Sequence, residues 1–381
     1  MSHACINLKP SRDRSIRQGH HWVFSGAVAV AQGLEEGGTA EVRSADGELL
    51  GTALVSPGRS ILASLLARGT QTIEDALRWR IAEAIALRRA LPIGSNAVRL
   101  VHAEGDGIPG LIIDQYDDVA VLQLSHPSLE PYRGLIASLL PANTVYEKST
   151  TALRKKLGGF DVRALLKGPE KPQVEVIERG MKFSVDLLQG QKTGLFLDQR
   201  EMRSLIRTMA YNRRVLNCFS YTGAFTVAAL MGGAKEVVSV DVSAKCGPAL
   251  ENNLALNGFA APFVASDAAD FIRNDPLQFD LVILDPPAYA KKQADVPGAF
   301  RAYKDLNRAA LAKMPPHSLL LTCSCSAFVH EELFQNILFR AAHEAGRSVR
   351  ILERHRQAHD HPVSLFHPET SYLKSFLLYI S

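Results

Sequence analysis

From about residue 181 the sequence alternates short apolar runs with helical patterns, and this alternation constrains the fold more than any other feature. "RVLNCF", "EVVSVDVS", "FVASD", "DLVILDPP" and "SLLLTCSCS" are the apolar runs; "GAFTVAALMGG" and "KCGPALENNLALNG" stand between the first three. Near-continuous apolar strands separated by helices need cover on both faces, which a parallel, doubly wound α/β sheet supplies. Such sheets bind ligands beyond the carboxyl ends of their strands, where the strand order switches. The residues just after each strand are therefore where chemistry is expected.

The first of these turns, "NCFSYTGAF", carries Asn217, Phe219, Tyr221, Thr222 and a single glycine, Gly223, ahead of a helix. It is not the G-x-G-x-x-G fingerprint that cradles a dinucleotide diphosphate. The second strand ends at Asp241, where a carboxylate can take both hydroxyls of a ribose. The third leads to Asp267, which could face an adenine amino group, and the fourth to Asp285, fixed by Pro286 and Pro287. Any one of these acids also reads as a loop residue or helix cap. Acids at successive strand ends without a diphosphate loop point instead to a nucleoside cofactor that lacks a diphosphate, S-adenosylmethionine.

The chain has 381 residues, too many for one compact core, and suggests two or three domains. Residues 1–70 alternate short strands with Gly-Gly, Asp-Gly and Pro-Gly turns, the pattern of a small β-rich domain or barrel. "TIEDALRWRIAEAIALRRALP" then reads as a helix with Thr72 as N-cap, Asp75 three residues on, and apolar residues at 73, 77, 81 and 85. Residues 97–180 mix strands with a helix near 129–140 and end in "KGPEKPQ". The expected division is 1–70, 71–180 and 181–381. No apolar run approaches the roughly 18 residues that cross a bilayer, and the N-terminus has no apolar signal core. A cytoplasmic protein with no membrane partner is expected.

Five scattered cysteines do not form a disulfide framework, and "CSC" lacks zinc-site spacing, so no metal is expected. Cys323 and Cys325, two apart on a strand, are badly placed to bridge each other. That leaves nucleophile or core filling. The net charge of +4 is modest, but two basic clusters stand out. One holds Lys9, Arg12, Arg14 and Arg17; the other holds Lys148, Arg154, Lys155, Lys156, Arg163, Lys167 and Lys171. Each fits phosphate contacts or, equally, a solvated face.

"GQKTGLFLDQRE", "VLNCFSYTGAFTVAALMGGAKEVVSVDVS", "LDPPAYAK" and "TCSCS" together resemble the RlmI group of large-subunit ribosomal RNA 5-methylcytosine methyltransferases. The likeness covers nearly the whole chain. "SIRQGHHWVFSGAV" is similar to the group's N-terminal PUA domain and "AEGDGIPGLIIDQY" to its small central α/β domain. The resemblance implies a C-terminal class I (Rossmann-like) methyltransferase domain preceded by a small β-barrel PUA domain and a central α/β domain. It implies S-adenosylmethionine held by the Asn217–Gly223 turn, Asp241 and Asp267, with Asp285 at the border of the cofactor. Asp198, Gln199 and Arg200 would close over the methionine end. The first two domains would hold structured ribosomal RNA.

The group's S-C-S pattern falls on Cys325, which the resemblance makes the nucleophile, with Cys323 as core or support. Carbon 5 of cytosine is a poor nucleophile, and a thiolate adding to carbon 6 turns the ring into an enamine that can take a methyl group. Asp285 would hold the N3 edge. A free thiol is only a few per cent thiolate at neutral pH, and the sequence does not say what activates this one. Many RNA 5-methylcytosine enzymes carry a second cysteine after the Asp-Pro motif, whereas this chain, like its group, has Ala288 after Pro287. The base that takes the C5 proton is open among Cys323, a water and Lys291. The target base must be unpaired or flipped out; Tyr289 could stack on it or simply pack, and Lys291 could meet a phosphate. The rival readings are a guanine-N7 methyltransferase of the same branch, a 5-methyluracil enzyme, and a non-catalytic RNA-binding assembly factor. A homodimer is left open, and "PETSYLKSFLLY" reads as the last strand, with no part in the site.

Overall fold

The computed structural model describes residues 4–190 and 193–381. Gln191 and Lys192 of the "GQKTGLFLDQRE" stretch lie outside the described residues. The chain forms two compact units, one of residues 1–176, 185–197 and 359–370, the other of residues 177–184, 198–358 and 371–381.

The first unit holds two sheets. Strands β1 (Cys5–Leu8), β2 (Trp22–Phe24), β3 (Val28–Gln32), β4 (Thr39–Arg43), β5 (Leu49–Val55) and β6 (Ile61–Arg68) form a six-stranded sheet in the order β2-β6-β5-β4-β1-β3, with the single helical turn α1 (Arg14–Arg17) between β1 and β2. Its core is built on Ile6, Leu8, Val23, Val42 and Leu65. Helix α2 (Ile73–Ala90) starts as its sequence requires. Thr72 caps it by accepting the Asp75 amide at 3.1 Å, and Ile73, Leu77, Ile81 and Ile85 are all buried. A second sheet follows, β11-β10-β9-β8-β7, from β7 (Ala97–His102), β8 (Leu111–Tyr116), β9 (Val119–Leu124), β10 (Thr144–Ser149) and β11 (Val162–Lys167), with helices α3 (Arg133–Leu139) and α4 (Ala152–Lys156). A hairpin of β12 (Gln173–Glu178) and β13 (Met181–Asp186) comes next.

The second unit is the expected doubly wound sheet. Helix α5 (Arg200–Met209) leads into β14 (Arg214–Cys218), α6 (Ala224–Met231), β15 (Glu236–Asp241), α7 (Cys246–Leu256), β16 (Phe263–Ala265), α8 (Ala268–Asn274), β17 (Leu281–Leu284), α9 (Val296–Lys313), β18 (Ser318–Ser324), α10 (Glu331–Glu344), β19 (Val349–His355) and β20 (Lys374–Ile380). The strand order is β16-β15-β14-β17-β18-β20-β19. Strands β14 to β18 are mutually parallel, while β20 enters antiparallel between β18 and β19. The order reverses at β14, which makes the carboxyl ends of β14, β15 and β17 the switch point. Burial explains the apolar runs: every residue of β17 and β18 is buried. Cys323, one of the two cysteines of "TCSCS", is wholly inside this core, and Cys325 is partly buried just beyond the strand end.

Candidate active site

The turn after β14 is backbone under tension. Phe219, Tyr221 and Gly223 all adopt positive φ, at 60°, 46° and 81°, a conformation that non-glycine residues keep only where the surroundings impose it. Gly223 opens α6, and a Cβ there would meet Leu250 Cγ at 2.7 Å. The turn is tied to the neighbouring strand by Asp241. One carboxylate oxygen accepts the Tyr221 amide at 3.0 Å and the other accepts the Ser243 amide at 2.9 Å. Beneath it, the Asn217 amide donates to Thr226 Oγ1 at 2.9 Å, and Thr226 shares a 2.7 Å hydrogen bond with Ser239. Asn217 Oδ1 and Ser220 Oγ are buried with no partner among the described residues. Buried polar atoms left so in a strained turn at a switch point mark a place that expects a polar ligand, and a cofactor with amino-acid and nucleoside ends fits them.

Asp267 is exposed and caps α8, accepting the Asp270 amide at 3.0 Å, so the sequence's two readings of it coexist. Asp285 follows β17. Gln199 Nε2 donates to its Oδ1 at 3.0 Å, and Asp198, just before, accepts the Tyr372 hydroxyl at 2.6 Å. Two of the three residues expected to close over the cofactor therefore reach this strand-end cluster. Arg200 has a different commitment. It is buried, and its Nε donates to Glu178 at 3.2 Å, while Arg203 donates to the same carboxylate at 2.6 and 2.7 Å. The resemblance sets Arg200 against the methionine end; in the fold its guanidinium also helps neutralise a buried glutamate that sequence alone gave no reason to pair with it.

Cys325 lies at the end of β18, next to β17, and its sulfur is 3.8 Å from the Pro286 carbonyl oxygen of the Asp-Pro-Pro loop. Burial, reinforced by Asp285 and Cys325 nearby, pushes the Cys323 thiol well up, and burial does the same to Cys218. Neither is a nucleophile in waiting. Tyr289 is half-buried, its ring 4.6 Å from that of Tyr303. Burial raises its phenol, with Tyr303, Asp267 and Cys325 adding to the effect. Tyr303 in turn shares a 3.0 Å hydrogen bond with Ser326 Oγ, which also accepts the Ala290 amide at 3.1 Å. Lys291 is exposed at the rim.

One residue of this cluster escaped the sequence reading. Lys374 opens β20 and is buried; its ammonium donates to the carbonyls of Ser326 at 2.6 Å and Tyr372 at 2.7 Å. The available signal was a lysine inside the otherwise apolar strand "YLKSFLLYI", since buried lysines are rare without a partner.

The basic clusters divide. Lys9, Arg12, Arg14 and Arg17 are exposed, although Arg17 is ion-paired with Asp13 at 2.6 Å and Glu48 at 2.5 Å. Lys155 and Lys156 are exposed as well. Arg154 must be removed from the candidate phosphate contacts. It is 1% exposed and donates to the Leu124 and Phe160 carbonyls and to Glu130. Lys148 is likewise buried on the carbonyls of Leu187 and Gly190. These two cations knit backbone together and face no solvent. His20, His367 and Glu369 bring ligand-type atoms within 4.8 Å of one another. However, His20 Nδ1 accepts the Trp22 amide at 3.1 Å, which leaves the proton of a neutral ring on the Nε2 that faces Glu369 at 3.5 Å. A metal would need that nitrogen bare.

Residues 150–376 match the family described as S-adenosylmethionine-dependent methyltransferase, and residues 6–68 match the PUA-like domain. Proteins named ribosomal RNA large subunit methyltransferase I from Alteromonas mediterranea and Vibrio cholerae are each 40% identical, over 97–98% of this chain and 98% of theirs. The chain belongs to the ribosomal RNA large subunit methyltransferase I family. Membership brings S-adenosylmethionine as the cofactor and agrees with the fold. A methyltransferase structure from Streptococcus mutans aligns over 98% of this chain and 99% of its own with a TM-score of 0.84 at 25% identity. A second, solved as a complex with SAH, aligns over 99% and 100% with the same score and identity. Among the described residues, no helix is long and apolar enough to cross a membrane.

Proposed function

We propose that this methyltransferase places its methyl group on carbon 5 of a cytosine in large-subunit ribosomal RNA, through a covalent bond between Cys325 and carbon 6. The ribosomal substrate is carried by the names of the relatives. The observation that carries the chemistry is Cys325, only partly buried, with its sulfur 3.8 Å from Pro286 O at the ends of adjacent strands, in a chain whose other site cysteines, Cys218 and Cys323, are fully buried.

When bound, S-adenosylmethionine supplies an electrophilic methyl group; the Asn217–Gly223 turn, Asp241 and Asp267 would hold its nucleoside, and Asp198 with Gln199 its methionine end. The Cys325 thiolate adds to C6, forming a C–S bond and shifting an electron pair to C5. C5 would then attack the methyl group of a bound S-adenosylmethionine, with S-adenosylhomocysteine as the leaving group. Asp285, oriented by Gln199, meets cytosine N3 through a shared proton, which it gives up to the ring as negative charge builds there on thiolate addition. Loss of the C5 proton to a base and expulsion of the thiolate restore the aromatic ring. Tyr289 borders the base, and the exposed Lys9, Arg12, Arg14, Lys155, Lys156 and Lys291 supply phosphate contacts.

The test is transfer of tritiated methyl from S-adenosylmethionine to unmodified large-subunit RNA, wild type beside Cys325→Ala, with nucleoside analysis. Label in 5-methylcytosine that disappears in the variant supports the reading. Label on guanine, or label that persists without Cys325, sinks it in favour of direct attack by a ring nitrogen.

A further inference from the structure

A thiol becomes a useful nucleophile at neutral pH only where its surroundings favour the thiolate, and an adjacent cation is the usual means. The turn after β14 offers none. The cation comes from β20, which pairs with β18 on the edge opposite β17. In the β18–β20 ladder Lys374 stands opposite Ser324, the residue before Cys325, and its ammonium ends 2.6 Å from the carbonyl oxygen of Ser326, the residue after it. The strand register at residue 324 and the ammonium's hydrogen bond at residue 326 therefore bracket Cys325. Two of its three ammonium hydrogens are committed to the Ser326 and Tyr372 carbonyls, which fixes the head and leaves a third to point elsewhere.

We propose that Lys374 is the residue that activates Cys325, its buried ammonium holding the sulfur as thiolate before the base arrives. The inference rests on Cys325 being the nucleophile. The charged groups around the ammonium agree with the assignment. Cys325 from the end of β18 and Glu331 from the start of α10 both favour its charged form, and Glu331 is itself paired with Arg356 at 3.1 Å. Burial works against the charge and pulls the ammonium down to about 8, so it is still mostly protonated at neutral pH. The phenols of Tyr289 and Tyr303 also face the thiol, and burial keeps both neutral. Lys374 bonds to no substrate atom in this scheme; it is a positioning residue that acts through sulfur.

The experiment needs no RNA. Full-length wild type, Lys374→Met and Lys374→Arg are alkylated with iodoacetamide across a pH series, and the Cys325 peptide is followed by mass spectrometry. The expected midpoint in wild type lies below the ordinary thiol value of about 8.5. Lys374→Met raises it by about one unit or more, roughly tenfold less thiolate at pH 7, and Lys374→Arg stays near wild type. Since the methionine could fail to fold, a reciprocal measurement stands beside it. The Lys374 side-chain nitrogen is titrated by NMR in wild type and in Cys325→Ala, whose removal of the thiolate lowers the lysine midpoint. Equal Cys325 midpoints in wild type and a folded Lys374→Met, or a lysine midpoint indifferent to Cys325→Ala, overturn the proposal. Methyl transfer that survives Cys325→Ala overturns the covalent mechanism itself, a result this titration neither produces nor hides.

Discussion

Replacing Glu178 by glutamine is the sharpest stability test of how the site is held. Glu178 is fully buried between two arginines. It accepts Arg203 at 2.6 and 2.7 Å and Arg200 at 3.2 Å, and Arg200 is the first residue of α5, directly after Gln199, which orients Asp285. Glutamine keeps the shape but offers one carbonyl oxygen and turns two amide hydrogens toward guanidinium donors. Two buried cations then lose the negative charge that Glu178 gives them. Breaking a buried pair in this way costs about 3–5 kcal/mol, a large part of the roughly 5–15 kcal/mol that holds a typical domain together. The pH dependence has a definite sign. Burial alone would raise the Glu178 carboxyl, but Arg203 and Arg200 outweigh it and hold it below its usual 4.5. Its contribution is thus fully present above the unfolded value and is lost as pH falls through the lower folded one. Urea unfolding of wild type and Glu178→Gln should show the widest gap near neutrality and a narrowing gap below about pH 4. A difference under about 1 kcal/mol at pH 7, or a gap that does not narrow in acid, refutes the account of the triad.

Other substitutions separate the roles assigned above. Gly223→Ala puts a methyl group 2.7 Å from Leu250 Cγ at a φ of +81°, so thermal unfolding should show a loss of about 2–4 kcal/mol and calorimetry should show weaker S-adenosylhomocysteine binding. Cys323→Ala should retain most methyl transfer while Cys325→Ala retains none, as measured by tritium incorporation. Arg154→Ala should lower the melting temperature without changing the salt slope of RNA binding. Lys155→Ala with Lys156→Ala should leave the melting temperature in place and flatten that slope by about one to two units.

The strand-end acids were legible because a parallel sheet leaves ligands only one edge to occupy, and local order then decides which residues stand there. Asp241, Asp285 and the Asn217–Gly223 turn fall at consecutive strand ends whatever else the chain does. The misjudged residues are those whose partners are distant in sequence. Arg154 and Lys148 look like surface charge because nothing nearby reveals that their ends meet backbone carbonyls; Arg154 reaches Leu124, 30 residues back. The ion pair of Arg200 was likewise invisible because the glutamate that engages it lies 22 residues earlier. Lys374 is the hardest case. Its neighbour Cys325 is 49 residues away in the chain, and only the antiparallel insertion of β20 brings the two together.

That insertion also sets an order of events in folding. β20 follows β19 in the chain yet lies inside it, so β18 keeps an unpaired edge until β20 has closed a long loop and taken its place, a late step for a non-local pairing. Until then the strand bearing Cys325 exists without the ammonium beside it. If Lys374 activates Cys325 as proposed, the thiol is left unactivated through the stages in which it is most exposed to oxidants and gains its reactivity only when the sheet is complete. During refolding, pulses of iodoacetamide should accordingly find Cys325 slow at neutral pH in early species and faster once the β18–β20 ladder has become protected from hydrogen exchange.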